Sequence, residues 1–528
     1  MIRPQCRPTD DALERVCSEY DSAPYGFHSY PQSAPGHLAV TGYLLGLDGV
    51  PDVATARVLE IGCATGSNLL PFAAFHPDAR VVGIDLSPVQ IEIGRQCVRD
   101  LGLTNLDLRV GDVTQIDTAE FGEFDYIICH GVYSWVSTTV ADAILAIIRQ
   151  LLAPNGIAYL SYNVYPGWKN KEIVRDAMTL FGVGGADVDQ DVRDARGLID
   201  LLGDVAPADG VLAKVLADYE TTVGAARDYY MLHDELSTFN EPCYFLQMVE
   251  RANDHGLIYL AEARLQVMFA GNYGTEVAQR LLDACGDSQL ALEQCLDFVS
   301  NRTFRQSLLI NAECAPQIRY HLDRQRYPRL HIAARMPSVD GTIALDTSRQ
   351  TFGAPGEPMV FTSDPALKVA LDVLNSRWPG TLSWAELQQE TATRLDDAGY
   401  PAGDDLAARI DDLLTVLILN GSARYRLDPV SIGSTSTARI DKPSRLMAEL
   451  GRGEAEAVTF NRWHEMFSLS AVDRHLLPLL GGEFERDKLL DALRAAVRRG
   501  QIEIDDEELR AQVDTLPERL ATMRLCGG

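Results

Sequence analysis

The chain has 528 residues, of which 46% are hydrophobic, and its 75 acidic and 47 basic side chains give a net charge of −28. That length allows two to four domains with sizeable cores, and the acidic balance disfavours nucleic acid because phosphate binding needs basic patches. The charge is compatible with a cationic partner such as a lysine-bearing protein, although solubility alone would also explain it.

Membrane and metal signals are weak along the whole sequence. No apolar run is long enough to cross a bilayer, and residues 1–16 lack an apolar signal core. The ten cysteines are scattered without C-x-x-C pairs or histidine clusters, which argues against a zinc site and against a disulfide framework. We therefore expect a soluble cytoplasmic protein with no metal and no membrane insertion.

Residues 20–38 are rich in Tyr, Pro, Ser and Gly and predict an irregular segment that ends at a helix near Ser33. Its aromatic side chains, Tyr25 among them, are costly to leave in water. They could cover the edge of a sheet, or they could form a lid that excludes water from a bound ligand. The sequence leaves both alternatives open.

A strand, a tight turn and a helix follow one another from residue 57. Residues 57–61 form a mostly apolar, β-branched run typical of a buried strand, and Gly62, Ala64 and Gly66 come directly after it. Small residues let the backbone turn tightly and let a ligand lie against it. The helix predicted over residues 68–74 would point its free N–H groups back at the turn, as in a nucleotide-binding cradle.

The spacing of this turn separates two kinds of nucleotide-binding fold. Dinucleotide folds use G-x-G-x-x-G, whereas this chain has G-x-x-x-G with Glu60 two residues before the first glycine. The pattern resembles the first motif of class I S-adenosylmethionine methyltransferases, with Ala64 in place of the usual middle glycine. The resemblance implies that the turn holds S-adenosylmethionine, and a tight turn without a ligand is the alternative.

A second apolar strand, residues 81–84, ends on Asp85. This acid lies about twenty residues after the glycine turn, where a carboxylate can accept hydrogen bonds from both ribose hydroxyls. Asp85 could instead cap the next helix. We expect Ser87 to be the cap, with Pro88 at the first helical position, so that Asp85 remains available for ribose.

The third predicted strand, residues 106–110, is followed by Asp112 and Val113. In the resembled family the residues after this strand bracket the adenine ring. The resemblance implies that the Asp112 carboxylate accepts from the exocyclic amine and that the Val113 N–H serves a ring nitrogen.

Polar and aromatic residues follow the fourth and fifth predicted strands. Residues 124–136 contain the fourth strand and the segment after it, and residues 157–168 contain the fifth strand and the segment after it. The residues concerned are His130, Tyr133, Ser134 and Trp135 on one strand and Tyr162, Asn163 and Trp168 on the other. Ligands of open α/β sheets bind outside the carboxyl ends of the strands, so these side chains should share one crevice. Cys63 and Cys129 lie near it, and we interpret them as small packing residues rather than nucleophiles.

If the methyl acceptor is a lysine amine, the crevice residues have distinct possible roles. Tyr133, Trp135 and Trp168 could supply aromatic walls that hold the ammonium group. His130 could accept a proton or could stack near the adenine. Tyr162 and Asn163 could orient the amine, or could only cap the following turn.

The sequences HGVYSWV, SYNVYPGW, HDELSTFNEPCYF and DFVSNRTFRQSLL together sharpen the resemblance. They are similar to bacterial methyltransferases that carry a methyltransferase regulatory domain, whose best-known members are rickettsial protein-lysine methyltransferases. The resemblance implies that His233 and Asp234, in HDEL, face the catalytic crevice as a substrate-channel or interdomain contact; a surface pair is the alternative. Residues 291–309 are predicted to form an amphipathic helix pair.

The C-terminal part contains two similar units, residues 364–427 and 469–504, each with helices, a turn and a final short strand. Units of winged-helix type fit this order. Acidic residues crowd both units, so we expect protein contacts or dimer packing rather than DNA binding.

The sequence therefore predicts an α/β protein in four parts: a Rossmann-like, seven-strand class I methyltransferase domain (1–180), a helical regulatory domain (181–320), a winged-helix-like unit (321–430) and a C-terminal winged-helix-like unit (431–528). The resemblance implies methyl transfer from S-adenosylmethionine to lysine side chains of a protein, with a homodimer possible. The alternatives are methylation of a small molecule and a non-catalytic, cofactor-binding scaffold.

The predicted site residues fall into three groups. Catalytic candidates are His130, Tyr133 and Asn163. Cofactor-binding candidates are Glu60, Gly62, Cys63, Ala64, Gly66, Asn68, Asp85, Leu86, Asp112, Val113 and His130. Substrate-binding candidates are Tyr25, Tyr133, Trp135, Tyr162, Trp168, His233 and Asp234.

Overall fold

The computed structural model describes residues 21, 25–181, 188–223, 237, 239–431, 439–453, 456–482 and 485–525. The predicted site residues His233 and Asp234 lie outside these ranges. Among the described residues, no helix combines the length and the apolar character that a membrane crossing requires.

A seven-stranded mixed sheet forms the centre of the N-terminal part, in the strand order β3-β2-β1-β4-β5-β7-β6. Its strands are β1 (Arg57–Ile61), β2 (Arg80–Asp85), β3 (Leu106–Val110), β4 (Phe124–Cys129), β5 (Leu152–Asn163), β6 (Leu257–Glu262) and β7 (Phe304–Asn311). Strands β1 to β5 are parallel, and β7 is antiparallel to both of its neighbours. The Rossmann-like seven-strand fold is therefore confirmed.

An α-helix precedes the first strand, and four more connect the parallel strands. They are α1 (Pro35–Leu44), α2 (Leu70–Phe75), α3 (Pro88–Leu101), α4 (Thr118–Phe121) and α5 (Thr138–Leu151). Ser87 is the N-cap of α3, since its Oγ accepts a hydrogen bond from the Gln90 N–H at 3.1 Å, and Pro88 is the first helical residue. The strands they enclose are apolar along most of their length, as expected when helices cover both faces of a parallel sheet.

A helical segment separates β5 from β6. It contains α6 (Trp168–Phe181), α7 (Val188–Val205), α8 (Val211–Val223) and α9 (Phe245–Asp254). Two more helices, α10 (Thr275–Cys285) and α11 (Gln289–Ser300), separate β6 from β7. The sheet therefore continues past the predicted boundary at residue 180, because its last two strands come from the segment that the sequence assigned to the helical domain.

The predicted helix pair over residues 291–309 is wrong in its second half. Helix α11 ends at Ser300, where the C-cap Asn301 adopts a left-handed conformation with φ of 47°, and β7 begins three residues later. Leu308, Leu309 and Ile310 are fully buried between β5 and β6. The apolar residues of this run fit the periodicity of a helix as well as that of a strand, and pairing with β5 and β6 makes them a strand.

A buried ion cluster ties β7 to α11 and β6. Arg305, 0% exposed, donates from Nη1 to Glu262 Oε1 at 2.8 Å and from Nη2 to Glu293 Oε2 at 3.1 Å and Asp297 Oδ1 at 2.8 Å. Its guanidinium also lies 3.9 Å from the ring centroid of Phe245 in α9. Asp297 also lies 3.2 Å from Nε of Arg302, whereas Glu262 and Glu293 pair with Arg305 alone among the described residues, and an unpaired buried charge is strongly unfavourable.

The C-terminal part begins with a small three-stranded sheet, ordered β11-β8-β12, and an adjoining hairpin, β9–β10. The elements are β8 (His331–Ala334), β9 (Gln350–Phe352), β10 (Val360–Thr362), α12 (Pro365–Arg377), β11 (Leu382–Ser383), α13 (Trp384–Asp397), α14 (Leu406–Leu419) and β12 (Ala423–Arg426). The helix order and the closing strand β12 agree with the sequence prediction for the first unit.

The last unit contains a hairpin that we call the wing, residues 458–468. Its elements are α15 (Lys442–Leu450), β13 (Val458–Phe460), β14 (Met466–Ser468), α16 (Asp473–Leu476), α17 (Arg486–Arg498), α18 (Asp506–Asp514) and α19 (Leu516–Thr522). The strand predicted at residues 502–504 is not formed. The β-hairpin lies between α15 and the remaining helices instead, so the unit has a different element order from the one predicted.

Candidate active site

The glycine turn after β1 has left-handed backbone at alternate positions, with φ of +72° at Gly62, +50° at Ala64 and +70° at Gly66. A Cβ atom on Gly62 would lie 2.3 Å from Cγ2 of Val132, so only glycine fits there. Left-handed backbone costs an alanine about 1–2 kcal/mol. The turn therefore accommodates Ala64, the departure from the usual motif, at an energetic cost that other contacts must offset.

Asp85, at the end of β2, supplies such a contact. Its Oδ2 accepts a hydrogen bond from the Ala64 N–H at 2.7 Å, and its Oδ1 accepts one from the Ser87 N–H at 2.9 Å. Desolvation raises the pKa of Asp85, and the backbone donors oppose this shift. The residue remains partly exposed, and two carboxylate oxygens have about four acceptor positions for three backbone donors, so the carboxylate can still accept from a ribose hydroxyl.

Glu60 and Asn68 form a buried pair behind the turn. Asn68 Nδ2 donates to Glu60 Oε1 at 2.8 Å, whereas Glu60 Oε2 has no hydrogen-bond partner among the residues that the structure describes. Burial raises the pKa of Glu60 to about 8. A buried carboxylate oxygen without a donor is unfavourable unless a ligand supplies one. The ammonium group of S-adenosylmethionine has the chemistry to do so, and the residues present therefore fit this cofactor.

The described part of the N-terminal aromatic segment crosses the glycine turn. The Tyr25 N–H donates to Gln90 Oε1 at 3.3 Å, the His28 N–H to Ser67 Oγ at 3.1 Å and the Tyr30 N–H to Asn68 Oδ1 at 2.9 Å. The Tyr30 ring then stacks on His130 with 3.6 Å between centroids. Of the two alternatives that the sequence left open, these contacts favour a cover over the crevice.

His130, at the exit of β4, is poorly suited to act as a base. Its Nδ1 lies 2.8 Å from the Tyr159 hydroxyl, and burial lowers its pKa to about 3. Taking a proton from a lysine ammonium with a pKa of ~10.4 would be uphill by about 10 kcal/mol. The ring lies between Tyr30 and Tyr159 instead, and its stacking near the adenine stays a prediction.

Asp112 is bound within its own loop. Its Oδ1 accepts from the N–H and the hydroxyl of Thr114, each at 2.8 Å, and its Oδ2 accepts from Gln115 Nε2 at 3.0 Å. Asp112, Val113 and Leu86 are nevertheless partly exposed at the carboxyl ends of β2 and β3. Their contacts to the adenine and ribose stay predictions, since these hydrogen bonds show only a capping role.

The cysteines near the turn are packing residues, as expected. Cys63 and Cys129 are buried, and burial raises the pKa of both thiols above its ordinary value. A protonated thiol is a weak nucleophile.

Of the aromatic residues at the strand exits, Trp135 and Trp168 pack edge to face with centroids 5.8 Å apart. The ammonium of Lys171, one turn along α6, lies 4.8 Å from the Trp168 ring centroid. Trp135 is partly exposed, whereas Trp168 is buried. This pair is the part of the predicted aromatic wall that reaches the protein surface.

Tyr133 and Tyr162 do not form such a wall. They are 2% and 1% exposed, and they pack against each other with centroids 6.3 Å apart. The Tyr162 hydroxyl lies 3.1 Å from Ser307 Oγ, and the Tyr133 hydroxyl is hydrogen-bonded by Arg251. We therefore correct the predicted contact of both tyrosines with substrate, because their hydroxyls are directed into interior hydrogen bonds.

Asn163 combines a fixed backbone with a side chain that is available to a ligand. Its N–H donates to Ser134 Oγ at 2.8 Å, and its carbonyl accepts from the Cys243 N–H at 3.3 Å. The side chain is buried, and Nδ2 lacks a partner within the described ranges. This donor can serve an acceptor group at the exit of β5, as predicted, but no contact in the structure tests that role.

Two further residues at the same edge were not predicted from the sequence. Asn240 has no described partner for either side-chain amide atom, and the next residue, Glu241, donates its N–H to the Ser134 carbonyl at 2.8 Å. Phe304 begins β7 opposite Asn163, and its ring centroid lies 6.0 Å from that of His130. Phe304 was assigned to a helix and Asn240 was given no role, so neither residue was identified as a site residue from the sequence.

A cavity of about 250 Å³ lies behind the turn, between α1, α2 and the wing. Arg424, Arg426 and Arg462 line it, but Asp85 and His130 do not. It is therefore separate from the cofactor crevice.

Comparisons with known proteins agree with this geometry. Residues 58–156 match a methyltransferase domain, residues 227–311 a predicted methyltransferase regulatory domain, and residues 441–523 the C-terminal winged helix domain of PKMT. A Rickettsia prowazekii protein, RP028, is 36% identical over 234 residues, which are 44% of this chain and 93% of that protein. The chain belongs to the class I S-adenosylmethionine-dependent methyltransferases with a methyltransferase regulatory domain.

This methyltransferase also has relatives along its full length. Uncharacterized protein RP789 of Rickettsia prowazekii is 28% identical over 519 residues, covering 94% of this chain and 91% of the relative. The structure of PKMT2 from Rickettsia typhi superposes with a TM-score of 0.83 at 27% identity, covering 96% of this chain and all of that one. A second structure of PKMT2, in complex with AdoHcy, has a TM-score of 0.82 and covers 95% of this chain and 98% of that chain.

Proposed function

We propose that this methyltransferase transfers a methyl group to lysine side chains of a protein. The observation that carries the proposal is the Trp135–Trp168 pair at the exits of β4 and β5, with an ammonium group already against it. Lys171 Nζ lies 4.8 Å from the Trp168 centroid, within the range of a cation–π contact. An aromatic surface that holds one lysine ammonium has the chemistry to hold another.

Three further observations support a protein as acceptor. A second lysine, Lys169, has its Nζ 4.3 Å from the ring centroid of Tyr165, at the same edge of the sheet. The net charge of −28 favours a cationic partner and disfavours nucleic acid. The structure of PKMT2 from Rickettsia typhi is similar over 96% of this chain, and the sequence motifs resemble rickettsial protein-lysine methyltransferases.

The residues of the crevice would bind the cofactor at three points. Asp85 would accept from the ribose hydroxyls, the glycine turn would lie against the nucleoside, and Glu60 Oε2 would accept from the ammonium group. S-adenosylmethionine supplies an activated methyl group, so the protein mainly has to align an amine and exclude water. Alignment alone can contribute about 7–11 kcal/mol to lowering the barrier.

The amine must lose a proton before it can attack, because an ammonium group has no lone pair. Burial between aromatic rings disfavours the charged form and lowers the pKa of a lysine from ~10.4. The stacked pair of Tyr30 and His130 covers the crevice and would exclude water from it. We give His130 no role in removing the proton, because a residue with a pKa of about 3 does not compete for it.

The experiment that tests this function is incubation of the full chain with methyl-labelled S-adenosylmethionine and a cell lysate. A labelled protein band that resists base and maps to lysine by mass spectrometry supports the proposal. Label that moves to the organic extract would instead indicate a small-molecule acceptor. AdoHcy binding without any transfer would indicate a protein that only binds the cofactor.

A variant and its control separate the acceptor site from the cofactor site. Trp135→Ala should lower transfer to protein at least tenfold while the Kd for AdoHcy stays within twofold, because the ring contacts acceptor and not cofactor. Trp384→Ala is the matched control, since this tryptophan lies in the first C-terminal unit and donates to Asp411. Equal loss of transfer in both variants would contradict the assignment of Trp135.

A further inference from the structure

The wing of the C-terminal winged helix reaches the cofactor cradle. Its tip carries His464, which is 5% exposed, and the Nε2 atom of this histidine lies 3.1 Å from Asn68 Oδ1. The carbonyl of His464 accepts a second hydrogen bond from Ser29 Oγ at 2.9 Å. The wing therefore contacts both the residue that follows the glycine turn and the segment that covers the crevice.

The directions of these hydrogen bonds can be assigned. A backbone N–H can only donate, so the Asn68 atom that accepts from the Tyr30 N–H is the amide oxygen. His464 Nε2 faces the same oxygen and must carry its proton, and burial lowers the pKa of His464 to about 3, so the ring is neutral. The Asn68 amide nitrogen then donates to Glu60 Oε1 at 2.8 Å and to Ser33 Oγ at 3.1 Å.

The tip of the wing is rigidly held in this position. Asn461 Oδ1 accepts from the N–H groups of Trp463 and Glu465, at 2.9 and 3.1 Å. The Glu465 carboxylate is paired with Arg424 at 2.7 Å and with Arg524 at 2.6 Å. His464 has a left-handed backbone with φ of +60°, which a non-glycine residue adopts only when its surroundings impose it.

We propose that the wing is a positioning element of the cofactor site. His464, together with the Tyr30 N–H, holds the Asn68 amide with its nitrogen toward Glu60, and this orients the carboxylate whose free oxygen is available to the cofactor's ammonium group. The chain His464–Asn68–Glu60 thus links the C-terminal domain to cofactor affinity. The inference rests on cofactor binding at the glycine turn and not on the identity of the methyl acceptor.

The test uses the full chain and measures the Kd for AdoHcy by calorimetry and the unfolding temperature of each variant. His464→Asn is the main variant, because asparagine tolerates left-handed backbone but is too short to reach Asn68. We expect about three- to tenfold weaker binding of AdoHcy. His475→Asn is the matched control, since this histidine is buried in α16 of the same winged helix and should leave the Kd unchanged. An unchanged Kd in His464→Asn would overturn the proposal.

A double-mutant cycle separates positioning from general stability. If His464 acts through Glu60, His464→Asn should weaken AdoHcy binding less than twofold in a Glu60→Gln background. Fully additive effects of the two changes would overturn the proposal. Should His464→Asn fail to fold, Asn68→Asp keeps the oxygen that faces His464 and removes the donor to Glu60, so it must weaken AdoHcy binding to a similar extent. An unchanged Kd for AdoHcy in Asn68→Asp would also overturn the proposal.

Discussion

Replacing Asp85 with asparagine changes one oxygen of the side chain that joins β2 to the glycine turn. In the structure both carboxylate oxygens are used, with the Ala64 N–H at 2.7 Å and the Ser87 N–H at 2.9 Å. Asparagine keeps one acceptor and turns an amide NH₂ toward the other backbone donor, so one of these hydrogen bonds is lost. The same change removes one of the two acceptors that we assign to the ribose hydroxyls.

The size of the effect follows from the charged hydrogen bond that disappears. Hydrogen bonds to ionised groups contribute about 1.5–3 kcal/mol each. Loss of one acceptor for ribose therefore predicts that the Kd for AdoHcy rises by about 10- to 150-fold. Release of Ala64 from its left-handed conformation, with φ of +50°, would add to this loss because the turn would no longer be held against the ligand.

Isothermal titration with AdoHcy measures this directly. Asp107→Asn provides the control, because Asp107 is an exposed acid on β3 that pairs with Arg109 at 2.7 Å, away from the turn. Asp85→Asn should lose affinity while Asp107→Asn keeps that of the wild type. A Kd for Asp85→Asn within twofold of the wild type, in a protein with an unchanged unfolding temperature, would refute the assignment of Asp85 to ribose.

Three other changes test the surroundings of the site. Because burial raises the pKa of Glu60 to about 8 from an ordinary value of 4.5, the contribution of Glu60 to the stability of the cofactor-free protein should fall as pH rises from 4.5 to 8, so the unfolding temperature of the wild type relative to that of Glu60→Gln should fall over the same pH range. Gly62→Ala should abolish AdoHcy binding in calorimetry, since its Cβ would lie 2.3 Å from Val132 Cγ2; retained affinity would contradict the turn geometry. Arg305→Met should lower the free energy of unfolding in urea by about 3–5 kcal/mol, because it leaves buried carboxylates unpaired. The exposed Arg280, changed in the same way, should cost less than about 1 kcal/mol, and equal losses would argue against the cluster.

The cofactor half of the site could be predicted from the sequence because its contacts are local or one strand apart. The glycine turn, Asp85 and the cap at Ser87 all lie within 57–88, and strand periodicity and turn chemistry determine their positions. The acceptor half was predicted less well. Tyr162 lies near the carboxyl end of β5, yet its hydroxyl contacts Ser307 on β7, and nothing in the sequence indicated that β7 pairs with β5.

His130 shows the same limit in electrostatic terms. Its place after β4 was evident from the sequence, and both a basic and a stacking role were compatible with an ordinary histidine. Only the folded chain brings Tyr30 to 3.6 Å from its ring and buries it enough to lower its pKa to about 3. The choice between the two roles depends on desolvation, which no spacing along the chain can report.

By itself the sequence determined the parallel half of the sheet and the turn that begins the cofactor site, because short apolar runs and closely spaced small residues suffice to specify them. Tertiary structure alone decided that the sheet is completed by β6 and β7 and that the wing contacts the cradle. The hydrogen bond between His464 and Asn68 joins residues 396 positions apart. Such a contact depends on how the folded domains pack against each other, and the local sequence around either residue does not predict it.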